Sequence, residues 1–418
     1  MAQSVDVPPL LHRWTPFAVI VLVVLFALMS SATPSPLYVD YQALWGTSGT
    51  MITVVFAAYC VAVLVPLIFL GRLSDAIGRR PVVMAGMALV GLSMVGMALS
   101  TGVGGLIAAR VIQGVGVGLV TGAAGAALVE LHPRRDARIG ALVNGTTLNS
   151  GMAVGVLLAG FIAAWSAQPL VYPYVVIAAV SFALVVAVAV LVPETAGGGT
   201  TTLRQALRPQ RLSVPPAARG TFVLASMCVV VSWSVGGVYL GLGGALVKDL
   251  MGRSDYLVTA MVIATLQGAS AVAQLVWNLR FGTDDHRRGV VWGSALVVSG
   301  LAAASLAVAL RSAAGFVSAM AVVGLGMGLT FLMASTLAAR GVPDEVRGSV
   351  LSTFFVVAYL ALGLPAVLAA FLSEFLGLTG AYHLLAAVVA LIAITATVII
   401  SRPGALDGGS DPASGAQA

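Results

Sequence analysis

Charge is scarce in this sequence. Only 9% of its 418 residues are Asp, Glu, Lys or Arg, whereas soluble globular domains contain about 25% of these residues. Apolar residues account for 59% of the chain, and the mean hydropathy is +1.04. A chain with so few charged residues cannot cover a water-facing surface, which excludes a cytoplasmic enzyme, a nucleic-acid-binding protein and a disordered scaffold.

Cysteine, lysine and membrane carboxylates are scarce too. The two cysteines, Cys60 and Cys228, lie inside apolar runs, so the sequence predicts no disulfide framework, no metal site and no cofactor. Lysine occurs once, at Lys248, against twenty arginines, and this skew is typical of a GC-rich bacterial genome. None of the fifteen carboxylates lies within an uncharged run. This absence argues against a carrier specialised for multiply charged cations, since a membrane carboxylate is their usual partner.

Long uncharged runs are abundant instead. A helix that crosses a bilayer needs about 20 consecutive apolar residues. The runs of suitable length are 14–39, 41–71, 81–109, 111–129, 139–193, 220–247, 256–279, 289–310, 312–339, 348–373 and 375–401. The run 139–193 is too long for one span and is interrupted at residues 165–173, so it holds two. The sequence therefore predicts an all-α membrane protein with twelve transmembrane helices in two six-helix halves, because an open sheet would leave its backbone unpaired in lipid.

The basic residues indicate the orientation. With the N-terminus in the cytoplasm, seventeen basic residues fall in cytoplasmic segments and three, Lys248, Arg253 and Arg311, fall outside. Both termini are therefore expected in the cytoplasm of a bacterium, with the protein in its plasma (inner) membrane. This asymmetry accounts for the sequence pI of about 9.7 without a nucleic-acid partner.

The two halves repeat each other. Residues 193–219 are rich in Gly and Pro and predict a cytoplasmic linker between halves at 14–192 and 220–400, and residues 401–418 are expected to form a disordered cytoplasmic tail. An offset of 209 or 210 residues aligns Asp40 with Asp249, Asp75 with Asp284, Arg79 with Arg288, Arg138 with Arg347, and Gly114, Gly116 and Gly118 with Gly324, Gly326 and Gly328. Parallel repeats of this kind are typical of transporters that bind substrate at the midplane between the halves.

The loop between spans 2 and 3 contains a recognisable motif. Residues 71–81 have the sequence GRLSDAIGRRP, in which Asp75 has the right spacing to pair with Arg79. This loop resembles the signature loop of the major facilitator superfamily, with a departure at Ala76, where the family often has a basic residue. The resemblance extends over all twelve spans. It implies a cytoplasmic latch between the halves, formed by Gly71, Asp75, Gly78, Arg79 and Arg80.

A second motif places a charge within a span. Arg110, Gln113 and the glycines that follow resemble a superfamily signature typical of proton-coupled members. A charge inside a span costs about 2.5–3.5 kcal/mol on insertion scales and marks function by default. The offset places Ala319 or Met320 opposite Arg110, so the glycines repeat and the arginine does not. The glycines therefore predict helix packing, whereas Arg110 and Gln113 are candidates for coupling; the alternative is that Arg110 only bonds backbone carbonyls.

Other spans supply candidates for export and for the substrate cavity. Gly151, Gly155 and Gly160 resemble a degraded form of the helix-5 motif of antiporters, which favours export over uptake, although tight packing explains them nearly as well. The polar and aromatic cavity candidates are Tyr38, Tyr59, Asn144, Asn149, Trp233, Tyr239, Gln267, Gln274, Thr330 and Tyr359.

These features predict a secondary active transporter, not an enzyme, since no nucleophile–base pair is visible. We expect proton-coupled efflux of a small amphipathic molecule, neutral or weakly anionic, by a monomer in the lipid bilayer that resembles bacterial drug–proton antiporters. One alternative is an uptake permease for a sugar or organic acid. Another is a sensor that binds its ligand without moving it, which would usually carry an added soluble domain.

Overall fold

The computed structural model describes residues 10–70, 73–133, 137–195, 212–252, 255–282 and 285–403, and these residues contain no strand. The helices are α1 (Leu10–Ala32), α2 (Tyr38–Trp45), α3 (Gly49–Phe69), α4 (Leu73–Ile77), α5 (Arg79–Ala98), α6 (Val103–Leu131), α7 (Ala137–Trp165), α8 (Tyr172–Leu191), α9 (Arg219–Met251), α10 (Tyr256–Phe281), α11 (His286–Ala309), α12 (Ala313–Ala339) and α13 (Asp344–Ser401). Short 3-10 turns precede α2 at Ser35–Leu37 and α9 at Pro216–Ala218.

Eleven helical segments of the described chain are long and apolar enough to cross a membrane. The last of them, Val346–Ser401, has 56 residues. At 1.5 Å per residue it would be about 84 Å long, nearly three times the thickness of the hydrocarbon core. Gly377 has a φ of 71° and interrupts the helical conformation there. Helix α13 therefore contains two spans, and the prediction of an all-α protein with twelve apolar spans is confirmed.

Two predicted span boundaries are wrong. The runs 14–39 and 41–71 place a boundary at Asp40, but the chain leaves the first span only after α2, at Gly46 with a φ of 60°. The runs 81–109 and 111–129 place another at Arg110, but α5 ends at Ala98 and α6 begins at Val103. Neither of the observed boundaries contains a charged residue, because Gly, Ser and Thr are sufficient to form a turn at the membrane surface.

Equivalent glycines pack in equivalent ways in the two halves. A Cβ atom on Gly116 of α6 would lie 2.7 Å from the carbonyl oxygen of Gly86, and one on Gly326 of α12 would lie 2.6 Å from that of Gly293. Both contacts let one helix backbone approach the next closely. The glycines of this motif are therefore packing residues in both halves, as the repeat predicts.

The most extensive contacts between the halves are two helix pairs. Helix α7 packs against α10, and α3 packs against α13. The linker expected at 193–219 connects α8 to α9, although residues 196–211 lie outside the described chain. The tail beyond Pro403 lies outside it as well.

Candidate functional site

A cavity with a volume of about 40 Å³ lies between the two halves. Its lining residues are Leu28, Leu148, Asn149, Met152, Ser232, Trp233, Gly236, Gln267, Met327, Phe331, Tyr359 and Leu362. Helices α1 and α7 of the N-terminal half form one wall, and α9, α10, α12 and α13 form the other. We call this space the central cavity.

The wall of the central cavity is aromatic and uncharged. Trp233 packs edge-on against Tyr359 at 5.0 Å between ring centroids, and Phe331 lies 5.7 Å from Trp233 on its other side. The polar lining groups apart from Tyr359 and Trp233 are those of Asn149, Ser232 and Gln267. None of the described lining residues is charged. Such a surface suits a neutral molecule with an aromatic ring and a few hydrogen-bonding groups.

Four of the ten cavity candidates line this space: Asn149, Trp233, Gln267 and Tyr359. The side chain of Asn144 lies outside the described part of the structure. Sequence reasoning missed the apolar lining residues, such as Met152 and Phe331, because nothing distinguishes an apolar residue that faces a cavity from one that faces a neighbouring helix.

The other candidates lie elsewhere. Tyr38 and Tyr59 surround Arg110. Tyr239 hydrogen-bonds to Tyr382 and lines a separate apolar space of about 20 Å³ within the C-terminal half. Gln274 contacts Ser270 one turn earlier on α10 at 3.5 Å, and Thr330 donates to carbonyl groups of its own helix.

Arg110 is fully buried and well supplied with acceptors. Its Nη1 donates to the carbonyl oxygen of Ser31 at 3.0 Å and to Oε1 of Gln113 at 2.6 Å. Its Nη2 donates to the hydroxyl of Tyr38, while Nε has no partner among the described residues. The guanidinium carbon lies 5.5 Å from the ring centroids of both Tyr38 and Tyr59, within the range of cation–π attraction.

The acceptors of Arg110 and Gln113 arise where the first span is interrupted. Helix α1 ends at Ala32, two residues before Pro34. Proline has no N–H group, so the carbonyl of Ser30 lacks its usual helical donor. Nε2 of Gln113 donates to that oxygen at 2.8 Å, and Arg110 binds the next carbonyl along the chain. The pair therefore caps the end of α1, and the positive charge is placed where the helix dipole favours it.

A chain of polar contacts connects this cap to the central cavity. The hydroxyl of Ser31 donates to that of Tyr59 at 2.9 Å. The hydroxyl of Tyr59 in turn faces that of Tyr359, which lines the cavity and belongs to the other half. Arg110 itself does not line the cavity. Its charge is linked to the cavity through Ser31 and two tyrosines and not by direct contact.

The candidate latch residues bond within the N-terminal half. Nη1 of Arg79 lies 2.5 Å from the carboxylate of Asp75, and Nη2 lies 3.4 Å from that of Glu130. The carboxylate of Glu194 accepts from the backbone N–H groups of Arg79 and Arg80. The side chain of Arg80 also donates to the backbone of α8.

Of the two latch glycines, Gly78 lies in the described part of the chain and Gly71 does not. Gly78 has a φ of 106°, a conformation that favours glycine, and a Cβ atom there would collide with Glu194.

The three glycines of the helix-5 motif contact two different helices. A Cβ atom on Gly151 would lie 2.8 Å from the carbonyl oxygen of Leu25, and one on Gly155 would collide with the backbone of Met29, so both glycines allow α7 to approach α1. Gly160 instead faces Tyr256 of α10, in the other half. Of the three glycines, Gly160 therefore lies at a helix pair that joins the halves.

The end of the molecule that contains α2 carries polar contacts between the halves. Thr50 at the start of α3 donates to the carboxylate of Glu374 on α13 at 2.6 Å. Tyr256 at the start of α10 lies near the carboxylate of Asp40 on α2. The Thr50–Glu374 bond joins the two halves at this end, which we call the α2 rim.

Comparison with known proteins agrees with this architecture. The sequence model of the Major Facilitator Superfamily matches residues 20–364. The chain belongs to this superfamily. A chloramphenicol resistance protein of Pseudomonas aeruginosa is 26% identical over 332 residues, which are 76% of this chain and 74% of that protein. An uncharacterised superfamily transporter of Mycobacterium tuberculosis, Rv1250, is 38% identical over 108 residues, which are 25% of this chain and only 18% of that relative.

Solved structures of major facilitator transporters share the fold. A bacterial homologue of the human lysosomal transporter Spinster, in an inward-facing and unoccupied conformation, has a TM-score of 0.71 at 13% identity, covering 97% of this chain and 100% of that one. A POT family transporter in complex with 5-aminolevulinic acid has a TM-score of 0.71 at 14% identity, covering 92% and 96%. The family and the fold indicate a multi-pass membrane transporter and not an enzyme.

Proposed function

We propose that this protein exports small, neutral, aromatic amphipathic molecules from a bacterial cell in exchange for protons. The protein would lie in the inner membrane with both termini in the cytoplasm, and it would work as a monomer by alternating access between the two halves. Chloramphenicol is the first substrate to test, because it is neutral, carries an aromatic ring, hydroxyl groups and an amide, and is named in one relative of this chain.

The observation that carries this proposal is the composition of the central cavity. Three aromatic side chains and two methionines face it, and none of its described lining residues is charged. A cationic substrate would find no carboxylate there. An anionic substrate would find no accessible cation, because Arg110 is fully buried and its Nη atoms already bond three oxygen acceptors. A neutral molecule loses less hydration free energy than an ion does when it enters a cavity with such a wall.

The contact across the α2 rim supports alternating access. With the termini in the cytoplasm, this rim would face the outside, where the Thr50–Glu374 bond holds the two halves together. The latch residues, at the opposite end, bond Glu130 and Glu194 of their own half. Opening the rim would require breaking the Thr50–Glu374 bond, and the latch would then engage the other half.

The chain of polar contacts from Arg110 to Tyr359 supports a role in coupling. Tyr359 shares the cavity with the substrate, and it reaches the cap of α1 through Tyr59 and Ser31. Because Tyr59 and Tyr359 belong to different halves, a rocking motion changes their contact. Substrate binding in the cavity would thereby change the surroundings of the buried charge of Arg110.

The test is accumulation of radiolabelled chloramphenicol in inside-out vesicles with an acidic interior. We expect uptake into these vesicles that an uncoupler abolishes, which corresponds to export from the cell. Tyr359→Phe removes the hydroxyl that faces Tyr59 and should lower this uptake severalfold. Tyr382→Phe is the matched control, since it removes an equally buried tyrosine hydroxyl away from the central cavity.

The outcome separates the competing functions. Uptake only in right-side-out vesicles would indicate a permease for import. Saturable binding without movement in either orientation would indicate a sensor. Equal effects of the two tyrosine variants would remove the proposed coupling route.

A further inference from the structure

Gln267 has an unusual position on the wall of the central cavity. It lies on α10, its side chain is 2% exposed, and it lines the cavity. Its Oε1 has no hydrogen-bond partner among the described residues. Its Nε2 lies 3.1 Å from the sulfur of Met152 on α7, in the other half.

This environment satisfies the amide poorly. A thioether sulfur is a weak acceptor, so the Nε2 group has a poor partner in Met152. The buried Oε1 has lost its water without gaining a protein donor, which is unfavourable until a donor arrives. In the absence of a ligand, the amide therefore retains unused capacity both to accept and to donate.

The other polar lining groups do not offer the same combination. The hydroxyl of Ser232 already donates to the carbonyl oxygen of Met327 at 3.0 Å. The hydroxyl of Tyr359 is engaged with Tyr59. Asn149 is only partly buried. Gln267 is thus a deeply buried lining residue with an acceptor that has no protein partner among the described residues.

We infer that Gln267 selects substrates that carry a hydrogen-bond donor, an O–H or N–H group, which bonds its Oε1 in the central cavity. This inference rests on the proposed function. The donor satisfies the buried oxygen, and a neighbouring acceptor on the same molecule replaces the sulfur of Met152 as the partner of Nε2. Because that sulfur belongs to the other half, the substrate would take over a contact between the halves at the α7–α10 pair.

The test compares two transported probes in proteoliposomes: chloramphenicol and a permethylated derivative in which every O–H and N–H carries a methyl group. We expect the wild-type protein to prefer chloramphenicol at least tenfold in kcat/KM, since a site that bonds a donor rejects the analogue without it. Gln267→Met keeps the length of the side chain and should reduce this preference to within about twofold, mainly through a higher KM for chloramphenicol.

Gln274→Met is the matched control. Gln274 lies two turns further along α10, is also 2% exposed, and does not line the central cavity. It should retain the wild-type preference. A general disturbance of α10 would alter kcat in both variants, whereas loss of the recognition group alters only the ratio between the two probes.

The outcomes distinguish this inference from the proposed function. If the wild-type protein transports neither probe, the proposed function fails and the inference fails with it. If it transports both equally well, the inference alone is overturned, whether or not any variant folds. An undiminished preference in Gln267→Met would also overturn it.

Discussion

Replacing Arg110 with lysine tests whether transport requires the several N–H donors of the guanidinium as well as its positive charge. The guanidinium uses two nitrogens to reach three acceptors, Ser31, Gln113 and Tyr38. A lysine side chain is shorter and ends in a single nitrogen, so it cannot reach all three from the same backbone position. We expect Arg110→Lys to insert into the membrane and to lose most of its transport.

The magnitude follows from the bonds lost. A hydrogen bond to a charged group contributes about 1.5–3 kcal/mol. Arg110→Lys loses at least one of its three bonds and should destabilise the purified protein by about 2 kcal/mol. Arg110→Ala loses all three, leaves the carbonyl of Ser31 buried without its donor, and should cost on the order of 4 kcal/mol.

The assay measures denaturation in mild detergent and substrate-driven proton flux in proteoliposomes on the same preparations. Gln113→Leu is the comparison variant: it removes the bond to Ser30 and one of the three acceptors of Arg110, but it leaves the positive charge in place. We expect it to lose stability but to retain coupling per folded molecule. Wild-type stability together with wild-type flux in Arg110→Lys would refute the reasoning. Reduced stability with normal flux per folded molecule would make Arg110 a cap of α1 alone.

Three further predictions concern topology, the latch and the α2 rim. A membrane-impermeant thiol reagent added to intact cells should label a cysteine placed at position 253 but not one at 208, and labelling at 208 would reverse the orientation. Asp75→Asn removes the carboxylate 2.5 Å from Arg79 and should slow turnover while leaving the amount of inserted protein unchanged. If turnover is that of the wild-type protein, the charges of this loop only set the membrane orientation. A disulfide between Thr50→Cys and Glu374→Cys should block transport until it is reduced, because it joins the halves across the rim, and unimpeded transport in the oxidised form would contradict the role of this contact.

The fold was accessible from the sequence because lipid imposes a simple rule. Every span must be a long apolar helix, so counting uncharged runs predicts the architecture. The internal repeat predicted the packing glycines, because a close contact between two helices requires a glycine at the point of contact, as at Gly116 and Gly326. Where no particular residue is required, as in the uncharged loop between Ala98 and Val103, the predicted boundary was wrong.

The candidate site was accessible only in part. Arg110 and Gln113 were visible because a charge in a span is costly, and their mutual bond at 2.6 Å agrees with their spacing. Besides the hydroxyl of Tyr38, their partners include backbone carbonyls near Pro34, which no pattern of side chains encodes. The apolar cavity wall was equally invisible, since Met152 lines a cavity only because of how α7 meets the other half.

The most direct test of the proposed exchange is proton movement driven by substrate alone. Proteoliposomes with no initial pH gradient and a pH-sensitive dye inside receive chloramphenicol from outside. We predict that the inward movement of chloramphenicol expels protons and makes the interior more alkaline, and that Tyr382→Phe shows the same response. Chloramphenicol movement without any change in internal pH would contradict proton exchange.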